Sequence, residues 1–359
     1  MEEDLILAIN PGSTSTKIAV FKNAKEVFLK TIRHSSSQID SYEKITDQYE
    51  FRKNIIIEEL QNAEIKTDNI RIVVGRGGLI KPIKSGVYKI NEAMMQDLKI
   101  GVMGAHASNL GGLIANDIAN SLPRADAFIA DPVVVDEFEE LARVSGHPEF
   151  ERVSIFHALN QKAIARQHAR AVAQTYEALN LIVAHLGGGI SVGAHKRGRV
   201  IDVNQALDGE GPFSPERSGT LPVGALAKLC FSGKYTLKEI QAMITGKGGL
   251  VGYLGTNDAY EVEKRSAAGD KHARFILEAM AYQVAKEIGA MATVLKGEVD
   301  AILLTGGIAY GQPFVDLVTV RIRHISPVYV YPGEDEMRAL AMNGLMVLKG
   351  ETEPLEYTG

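Results

Sequence analysis

The N-terminal sequence interrupts one apolar run with a small polar turn and then resumes it as a second apolar run. Residues 5–21 read LILAINPGSTSTKIAVF. Two strand-length apolar runs around a turn predict a β-hairpin. Ordinary hairpin turns are short and favour Asn-Gly or Asp-Gly, whereas this turn is long, carries several hydroxyl residues and has Asn10 at its mouth.

The residues of this turn suit phosphate oxygens. Gly12 lets the backbone approach an anion closely. Ser13, Thr14 and Ser15 supply hydroxyls and backbone N–H donors, and Lys17 supplies positive charge. The alternative is a hairpin whose polar turn binds nothing, and the turn alone leaves both readings open.

A second copy of the pattern begins about halfway along the chain. Residues 181–195 read LIVAHLGGGISVGAH and again join two apolar runs through a glycine-rich turn at 187–189. A third strand-like run follows each hairpin, at 26–30 and at 200–203. Two such halves could hold one polyphosphate from both sides, so the repeat predicts a duplicated fold with a cleft between the halves.

Length and composition fit an enzyme of about two domains. The 359 residues exceed one ordinary core, and 45% hydrophobic with 23% charged residues is a globular average. A net charge of −5 argues against general nucleic-acid binding. The start MEED and the strand-length first apolar run argue against a signal peptide or a membrane span, so we expect a cytoplasmic protein.

The single cysteine, Cys230, cannot form an internal disulfide. It follows the apolar residues 226–229, and nothing beside it would lower the pKa of its thiol. We therefore expect a small buried side chain in a helix rather than a nucleophile.

Two polar residues follow strand-like runs, at the sheet edge where α/β proteins place their ligands. Arg76 follows the run 71–75 and is surrounded by glycines, which favours an anion ligand over a solvated loop arginine. Asp131 directly follows the run 126–130. It either shapes a turn or positions a reactive group or a metal.

Apolar periodicity and capping residues predict the helices. They cover residues 41–63, 104–121, 156–178, 257–267 and 270–295, and a last helix opens at 334–336. His157 stands at the start of the third helix, which makes it a better candidate for an active cleft than His168. The cationic residues of that helix are expected to face solvent.

Two further segments carry candidates. Arg217 lies in the long Gly/Pro loop 208–220, and long ordered loops are usually functional. The buried-strand pattern at 300–304 runs into Thr305, Gly306 and Gly307. Such a turn is either a tight strand-to-helix connection or a place where a nucleotide approaches the backbone.

Together these motifs resemble, along nearly the whole chain, the acetate kinase and butyrate kinase family of the actin-like ATPase superfamily. The matching pieces are INPGSTSTK, VVGRGG, GAHASNL, ADP at Asp131, FHALNQK, HLGGGIS, ERSG, GTND, LTGGIA and PGEDE. GRGGLIKPI, the basic helix 270–291 and the short length are similar to the butyrate kinase branch.

The resemblance implies an α/β fold of two actin-like (ribonuclease H-like) domains, each with a βββαβα core, and a cleft between them. The expected domains are 1–148, with the first phosphate turn and carboxylate-site residues, and 149–333, with the second turn and the nucleotide. Residues 334–359 would form a C-terminal helix that returns to the N-terminal domain.

The implied activity is reversible, Mg²⁺-dependent phosphoryl transfer between ATP and a short-chain carboxylate such as butyrate, giving ADP and an acyl phosphate. Acetate or propionate is the alternative acceptor. A homo-oligomer, a dimer or a multiple of dimers, is expected, with no nucleic-acid or membrane partner. Two rival classes are an actin-like conformational ATPase, which would need a peptide-binding domain beyond the short tail, and a nucleotide-dependent regulator without chemistry.

The resemblance assigns roles to the matching positions. Around the carboxylate and the transferred phosphoryl group it places Arg76, Asp131, His157 and Arg217. For the nucleotide it names Lys17, His185, Gly187, Gly188, Gly189, Asp258, Thr305, Gly306 and Gly307, and for the first phosphate turn Gly12, Ser13, Thr14 and Ser15. Near Mg²⁺ it places Asn10 with Glu336, or with Asp335. One departure stands out: acetate kinases read FHGTSHK where this chain has Gln161 in place of the second histidine, so that histidine's role is not carried over.

Overall fold

The chain forms two compact units in the computed structural model, which describes residues 4–39 and 41–359. Unit 1 comprises Met1–Val135 and Asp335–Gly359, and unit 2 comprises Asp136–Glu334. The sequence predicts domain boundaries after residues 148 and 333. The structure divides the units after Val135 and after Glu334. In the described part of the chain, none of the helices has the length and apolar character needed to cross a membrane.

The regular elements follow one another along the chain. The strands are β1 (Leu5–Pro11), β2 (Ser15–Lys22), β3 (Lys25–Arg33), β4 (Ile70–Arg76), β5 (Val87–Lys89), β6 (Asp126–Ala130), β7 (Asn180–Leu186), β8 (Ile190–Lys196), β9 (Arg199–Val203), β10 (Ala301–Gly306) and β11 (Val328–Pro332). The helices are α1 (Ser36–Ile39), α2 (Tyr49–Asn62), α3 (Glu92–Ile100), α4 (Asn109–Ser121), α5 (Glu140–Arg143), α6 (Ala158–Ala171), α7 (Val223–Cys230), α8 (Leu237–Ile244), α9 (Gly249–Leu254), α10 (Ala259–Ala267), α11 (Lys271–Val294), α12 (Gln312–Ile322) and α13 (Glu336–Leu348).

Within its described residues, unit 1 contains a sheet with the strand order β3-β2-β1-β4-β6-β5. β1 and β2 form the predicted hairpin, whose last pair before the turn is Pro11 with Thr16. β4 runs parallel to β1, and β6 runs parallel to β4. The carboxyl ends of β1, β4 and β6 therefore meet at one edge of the sheet, which is the edge where α/β proteins bind ligands.

Unit 2 repeats this topology with the strand order β11-β10-β7-β8-β9. β7, β8 and β9 form an antiparallel meander, and β10 runs parallel to β7. Along β7, Ile182 and Ala184 face a core that includes residues of α11 and α12, whereas Leu181 and Val183 face a core that includes residues of α6. Apolar side chains on both faces explain why the run 181–184 is continuous rather than alternating. The predicted duplication is confirmed.

Most predicted helices form with shifted ends, but the third is shorter than the pattern indicated. α6 stops at Ala171, and a separate 3₁₀ turn covers Tyr176–Ala178. Ala173 has a φ of 54°, in the left-handed region, so the backbone cannot continue as a right-handed helix there. The first predicted helix begins only at Tyr49, after a 3₁₀ turn at Ile45–Gln48.

The expectation that Cys230 is buried was wrong. Cys230 is exposed at the end of α7, and no residue of this fully described helix is buried. No apolar residue of α7 belongs to the two buried clusters that contain residues of β7; Val223, for example, is 80% exposed. An apolar sequence around a cysteine thus marked a helix correctly without indicating burial.

Candidate active site

The first phosphate turn holds its carbonyl groups inward. The Gly12, Ser13 and Ser15 carbonyls accept hydrogen bonds from the guanidinium of Arg52 at 2.7, 3.1 and 3.1 Å. The Thr14 carbonyl accepts from the backbone N–H of His34 at 2.9 Å. Within the described residues, the N–H groups of Ser13 and Thr14 have no hydrogen-bond partner. Backbone N–H groups that are left open in this way can bind an anion, so the turn stays a candidate phosphate site.

Arg52 contacts this turn, and it is not among the residues that the sequence predicted for the site. It lies on α2, 1% exposed; its Nη1 also contacts Thr16 Oγ1, and its Nε and Nη2 donate to Gln48 Oε1. Among the described carboxylates none forms an ion pair with it, and burial lowers the pKa of its guanidinium. A signal was present: Arg52, Ile56 and Leu60 share one face at four-residue spacing, so a cation stood in an apolar stripe.

Three of the proposed site residues meet at the edge of unit 1's sheet. Asn10 is the next-to-last residue of β1, Arg76 ends β4 and Glu336 begins α13. Arg76 Nη1 lies 3.0 Å from Glu336 Oε1 and 3.3 Å from Asn10 Oδ1, and Asn10 Nδ2 donates to Glu336 Oε2. Lys17, an exposed residue of β2, is the cross-strand neighbour of Asn10. The fold therefore brings a carboxylate, an amide and two cations to the turn end of the hairpin.

The two acids proposed for the metal have different surroundings. Asp335 is exposed, and its carboxylate caps α13 by accepting from the backbone N–H of Arg338 at 3.0 Å. Glu336 contacts Asn10 and Arg76 instead. This geometry favours Glu336 over Asp335 as the acid that works with Asn10.

Asp131 is buried immediately after β6, with a φ of 36°. Its Oδ1 atom accepts from the Ser85 hydroxyl at 2.5 Å and from the Gly86 N–H at 3.0 Å. A positive φ is uncommon for a residue with a side chain and costs conformational energy, and such residues cluster at functional sites. The structure places Asp131 at the same sheet edge as Arg76, which pairs in register with Ala130.

The second glycine turn is enclosed by the loop that carries Arg217. The Gly188 carbonyl accepts from the Ser214 hydroxyl at 2.6 Å and from the Glu216 N–H at 3.3 Å. Arg217 Nη1 donates to the Ala206 carbonyl, and a Cβ at Gly189 would overlap the guanidinium. Burial lowers the pKa of Arg217, although Glu216 and Asp208 oppose that shift. Gly189 is thus required for arginine to reach this turn.

Two histidines stack at the carboxyl end of β7. His157, immediately before α6, and His185, at 1% exposure on β7, have ring centroids 4.1 Å apart. His157 Nδ1 lies 2.9 Å from the Ser191 hydroxyl. His185 Nε2 lies 3.8 Å from a Glu334 carboxylate oxygen. His168, the candidate that the sequence disfavoured, bonds the Tyr331 hydroxyl instead, and the preference for His157 stays a prediction.

The proposed nucleotide turn follows β10. Thr305 pairs in register with His185, and its hydroxyl donates to the Gly333 carbonyl at 3.1 Å. Gly306 has a φ of 93°, and a Cβ there would overlap the Leu186 backbone. A Cβ at Gly307 would meet nothing within 4 Å. The backbone at Gly307 is therefore open to a ligand, as close nucleotide approach requires.

Asp258 is occupied by a structural contact. It is exposed and caps α10, accepting from the N–H groups of Tyr260 and Glu261 at 2.9 and 3.2 Å. Its neighbour Asn257 donates to Glu216 Oε1 at 2.6 Å, beside Arg217. The cap alone accounts for an aspartate at 258, and its contact with adenosine stays a prediction.

Comparison with known sequences identifies near-full-length relatives. Residues 152–330 match the Acetokinase family. Over 98% of its length the chain is 58% identical to butyrate kinase 2 of Clostridium acetobutylicum and 56% identical to butyrate kinase 1 of the same organism, with 99% of each relative covered.

Comparison with solved structures identifies the same fold. An acetate kinase from Porphyromonas gingivalis matches with a TM-score of 0.77 at 19% identity, covering 96% of this chain and 100% of that one. A propionate kinase from Francisella tularensis subsp. tularensis matches with a TM-score of 0.74 at 20% identity, covering 95% and 98%. The predicted two-domain α/β fold class is confirmed.

Proposed function

Because this chain belongs to the acetokinase family, we propose that it catalyses reversible phosphoryl transfer between ATP and a short-chain fatty acid, with butyrate as the preferred acceptor. The observation that carries this proposal is the 56–58% identity, over nearly the whole chain, to two butyrate kinases. A carboxylate oxygen forms a bond to the γ-phosphorus while the bond from that phosphorus to ADP breaks. The products are an acyl phosphate and ADP.

The side chains described above fit this reaction. A phosphoryl group in transfer spreads negative charge over its equatorial oxygens, so catalysis depends mainly on positioning and on cationic donors. Arg76, Arg217 and Lys17 are the proposed cations, and His157 is a proposed donor. A carboxylate is already ionised at neutral pH and needs no strong general base. We therefore assign Asp131 to positioning rather than to proton abstraction.

The two turns are the proposed phosphate sites. In unit 1 the open N–H groups of Ser13 and Thr14 belong to the peptide groups whose carbonyls, of Gly12 and Ser13, point at the Arg52 guanidinium, so the N–H groups face away from it. In unit 2 we assign the turn 187–189 to the nucleotide phosphates, with Gly306 and Gly307 beside the nucleoside. Backbone N–H groups suit this task because they approach phosphate oxygens without a side chain between them.

We also propose that the reaction uses Mg²⁺. Among the described residues no group of three or more His, Cys, Asp or Glu side chains could hold a metal ion. This fits Mg²⁺, which usually takes one or two carboxylates and completes its shell with water and substrate phosphates. Glu336 and Asn10 would hold it, since both already present oxygens to the cationic Arg76. The ion would neutralise phosphate charge.

The test is hydroxamate formation from ATP, a carboxylate and hydroxylamine, because hydroxylamine traps an acyl phosphate. Acetate, propionate, butyrate and isobutyrate are compared at equal concentration, with and without Mg²⁺. We expect Mg²⁺-dependent hydroxamate with the highest kcat/KM for butyrate. Absence of hydroxamate with all four acids would refute the proposed activity, and a preference for acetate or propionate would replace butyrate as the acceptor.

A further inference from the structure

Beneath His157, a chain of buried hydrogen bonds crosses from α6 to β8. Ser191, Gln161 and His195 are each 0% exposed, and Tyr176 is 4% exposed. The Gln161 amide lies between the other side chains: its Nε2 is 2.8 Å from Ser191 Oγ, and its Oε1 is 2.9 Å from His195 Nε2. Gln161 is the position where the chain departs from the acetate kinase pattern.

One contact decides which way the Gln161 amide points. Its Nε2 atom also lies 3.0 Å from the backbone carbonyl of Ser191, which can only accept a hydrogen bond. The amide nitrogen must therefore face Ser191, and the amide oxygen must face His195. Since an amide oxygen only accepts, the proton of the His195 ring is on Nε2.

The hydrogen bond between His195 and Tyr176 agrees with this orientation of the Gln161 amide. Burial holds the pKa of His195 well below its ordinary value, with Lys162 and Arg166 adding to the effect, so the ring is neutral and carries one proton. With that proton on Nε2, the Nδ1 atom accepts from the Tyr176 hydroxyl at 2.7 Å. The Tyr176 hydroxyl then donates to His195 Nδ1, and His195 Nε2 donates to Gln161 Oε1.

The proton positions at Ser191 and His157 follow from their hydrogen-bond partners in the same way. Gln161 uses one N–H for the Ser191 carbonyl and the other for the Ser191 hydroxyl oxygen. The backbone N–H of His157, 3.5 Å from the same hydroxyl oxygen, takes its second acceptor position. The hydroxyl proton therefore points at His157 Nδ1, 2.9 Å away. His157 Nδ1 then accepts, and the ring proton lies on Nε2.

We propose that Gln161 is a positioning residue that, through the Ser191 hydroxyl, holds His157 in the tautomer with its proton on Nε2. His157 then presents an N–H donor, which is the group needed beside a phosphoryl oxygen, rather than a bare nitrogen. The catalytic part of this inference rests on the proposed function, in which His157 contacts the transferred group. The tautomer itself does not.

The backbone reserves space for this arrangement. A Cβ at Gly193 would lie 2.6 Å from Gln161 Oε1 and 3.3 Å from His195 Nε2. Any larger residue at 193 would push the amide out of the line between its two partners. Glycine at the middle of a buried strand weakens the strand, so close approach of another group is the usual reason for it.

Nitrogen NMR on histidine-labelled protein tests the proposal independently of catalysis. The His157 signals are assigned with His157→Asn, and we expect a protonated Nε2 and an unprotonated Nδ1 in the wild type. A protonated Nδ1, in a neutral or a cationic ring, would overturn the proposal without any variant. In Gln161→Met and in Ser191→Ala we expect the Nε2 preference to be lost.

Kinetics test the catalytic consequence. We expect kcat to fall about tenfold to a hundredfold in Gln161→Met, the range seen when a partner that orients a functional imidazole is removed, with a smaller change in the KM for ATP. The control is His168→Gln, a buried histidine of the same helix that bonds Tyr331. It should lose stability but keep the His157 tautomer and kcat. An unchanged tautomer and kcat in a folded Gln161→Met would refute the positioning role.

Discussion

The guanidinium of Arg52 donates to the Gly12 carbonyl over 2.7 Å and so links α2 to the proposed phosphate turn of unit 1. The same guanidinium bonds the carbonyls of Ser13 and Ser15. These bonds fix the direction of the peptide groups. Because the C=O and N–H of a trans peptide group point in opposite directions, a carbonyl that points to Arg52 turns the N–H of the same peptide group away from it. A buried cation therefore shapes the turn and also adds positive potential behind it.

Replacing Arg52 should weaken both the turn and its affinity for phosphate. In Arg52→Met we expect the free energy of unfolding to fall by about 1–3 kcal/mol for each carbonyl that stays buried without a donor. We also expect the KM for ATP to rise about tenfold, and chemical denaturation and steady-state kinetics measure the two effects. Arg52→Lys, which keeps a charge but offers fewer donors, should be intermediate.

The matched control is Lys53→Met, the next residue of α2, which pairs with Asp117 at 3.3 Å. It should leave the KM for ATP unchanged. A wild-type KM in folded Arg52→Met would separate Arg52 from phosphate binding and reduce it to a packing residue.

Arg76→Ala should lower kcat by about two to three orders of magnitude, as for other donors aimed at transition-state charge. The KM for ATP should change less, because the interaction strengthens as the phosphoryl group transfers. Arg71→Ala is the control, since Arg71 lies on the same strand and pairs with Asp4 at 3.1 Å. A near-wild-type kcat in Arg76→Ala would remove Arg76 from the reaction.

The glycines of the second turn should differ in what they tolerate. A Cβ at Gly189 would overlap the Arg217 guanidinium, whereas a Cβ at Gly188 would make an ordinary 3.7 Å contact with Glu216. Neither glycine has a positive φ. We expect Gly189→Ala to cost about 1–3 kcal/mol of unfolding free energy through overpacking, and Gly188→Ala to cost less than half as much. Equal losses in chemical denaturation would contradict the close packing of Arg217 on Gly189.

Glu287 should make stability depend on pH. Burial, together with Glu210 and Asp202, raises the pKa of its carboxyl from 4.5 to about 7, against opposing effects of Arg152 and Lys286. The folded state then binds a proton that the unfolded state has released, so stability falls as pH rises from about 4.5 through 7. Glu287→Gln removes this loss and should raise the unfolding free energy more above pH 7 than at pH 5.

Denaturation at several pH values compares this variant with Glu278→Gln, a more exposed position of the same helix that pairs with Arg274 at 2.8 Å. The control removes an ion pair from the same helix and should not show the gain in unfolding free energy above pH 7 that is expected of Glu287→Gln. If Glu287→Gln has the same pH profile as the wild type, Glu287 titrates in its ordinary range.

The sequence by itself determined the repeated hairpins, the strand ends that carry Arg76 and Asp131, and the family, because apolar periodicity, turn glycines and contiguous motifs are local. It determined α10 and α11 nearly to their ends, because Asp258 and Asp270 cap them. Local patterns gave wrong predictions for the burial of Cys230, which is exposed, and for the end of α6, which stops before Ala173.

Only the tertiary structure decided which side chains meet. Asn10 and Glu336 contact each other across 326 residues of chain, and Arg52 contacts Gly12 across 40. The hydrogen bonds that connect Tyr176, His195, Gln161 and Ser191 depend on the distance between α6 and β8. The direction in which they donate depends on the Ser191 backbone carbonyl. A sequence pattern reports the face on which a residue lies. It does not report which group stands opposite, and hydrogen bonds and ion pairs are set by that opposing group.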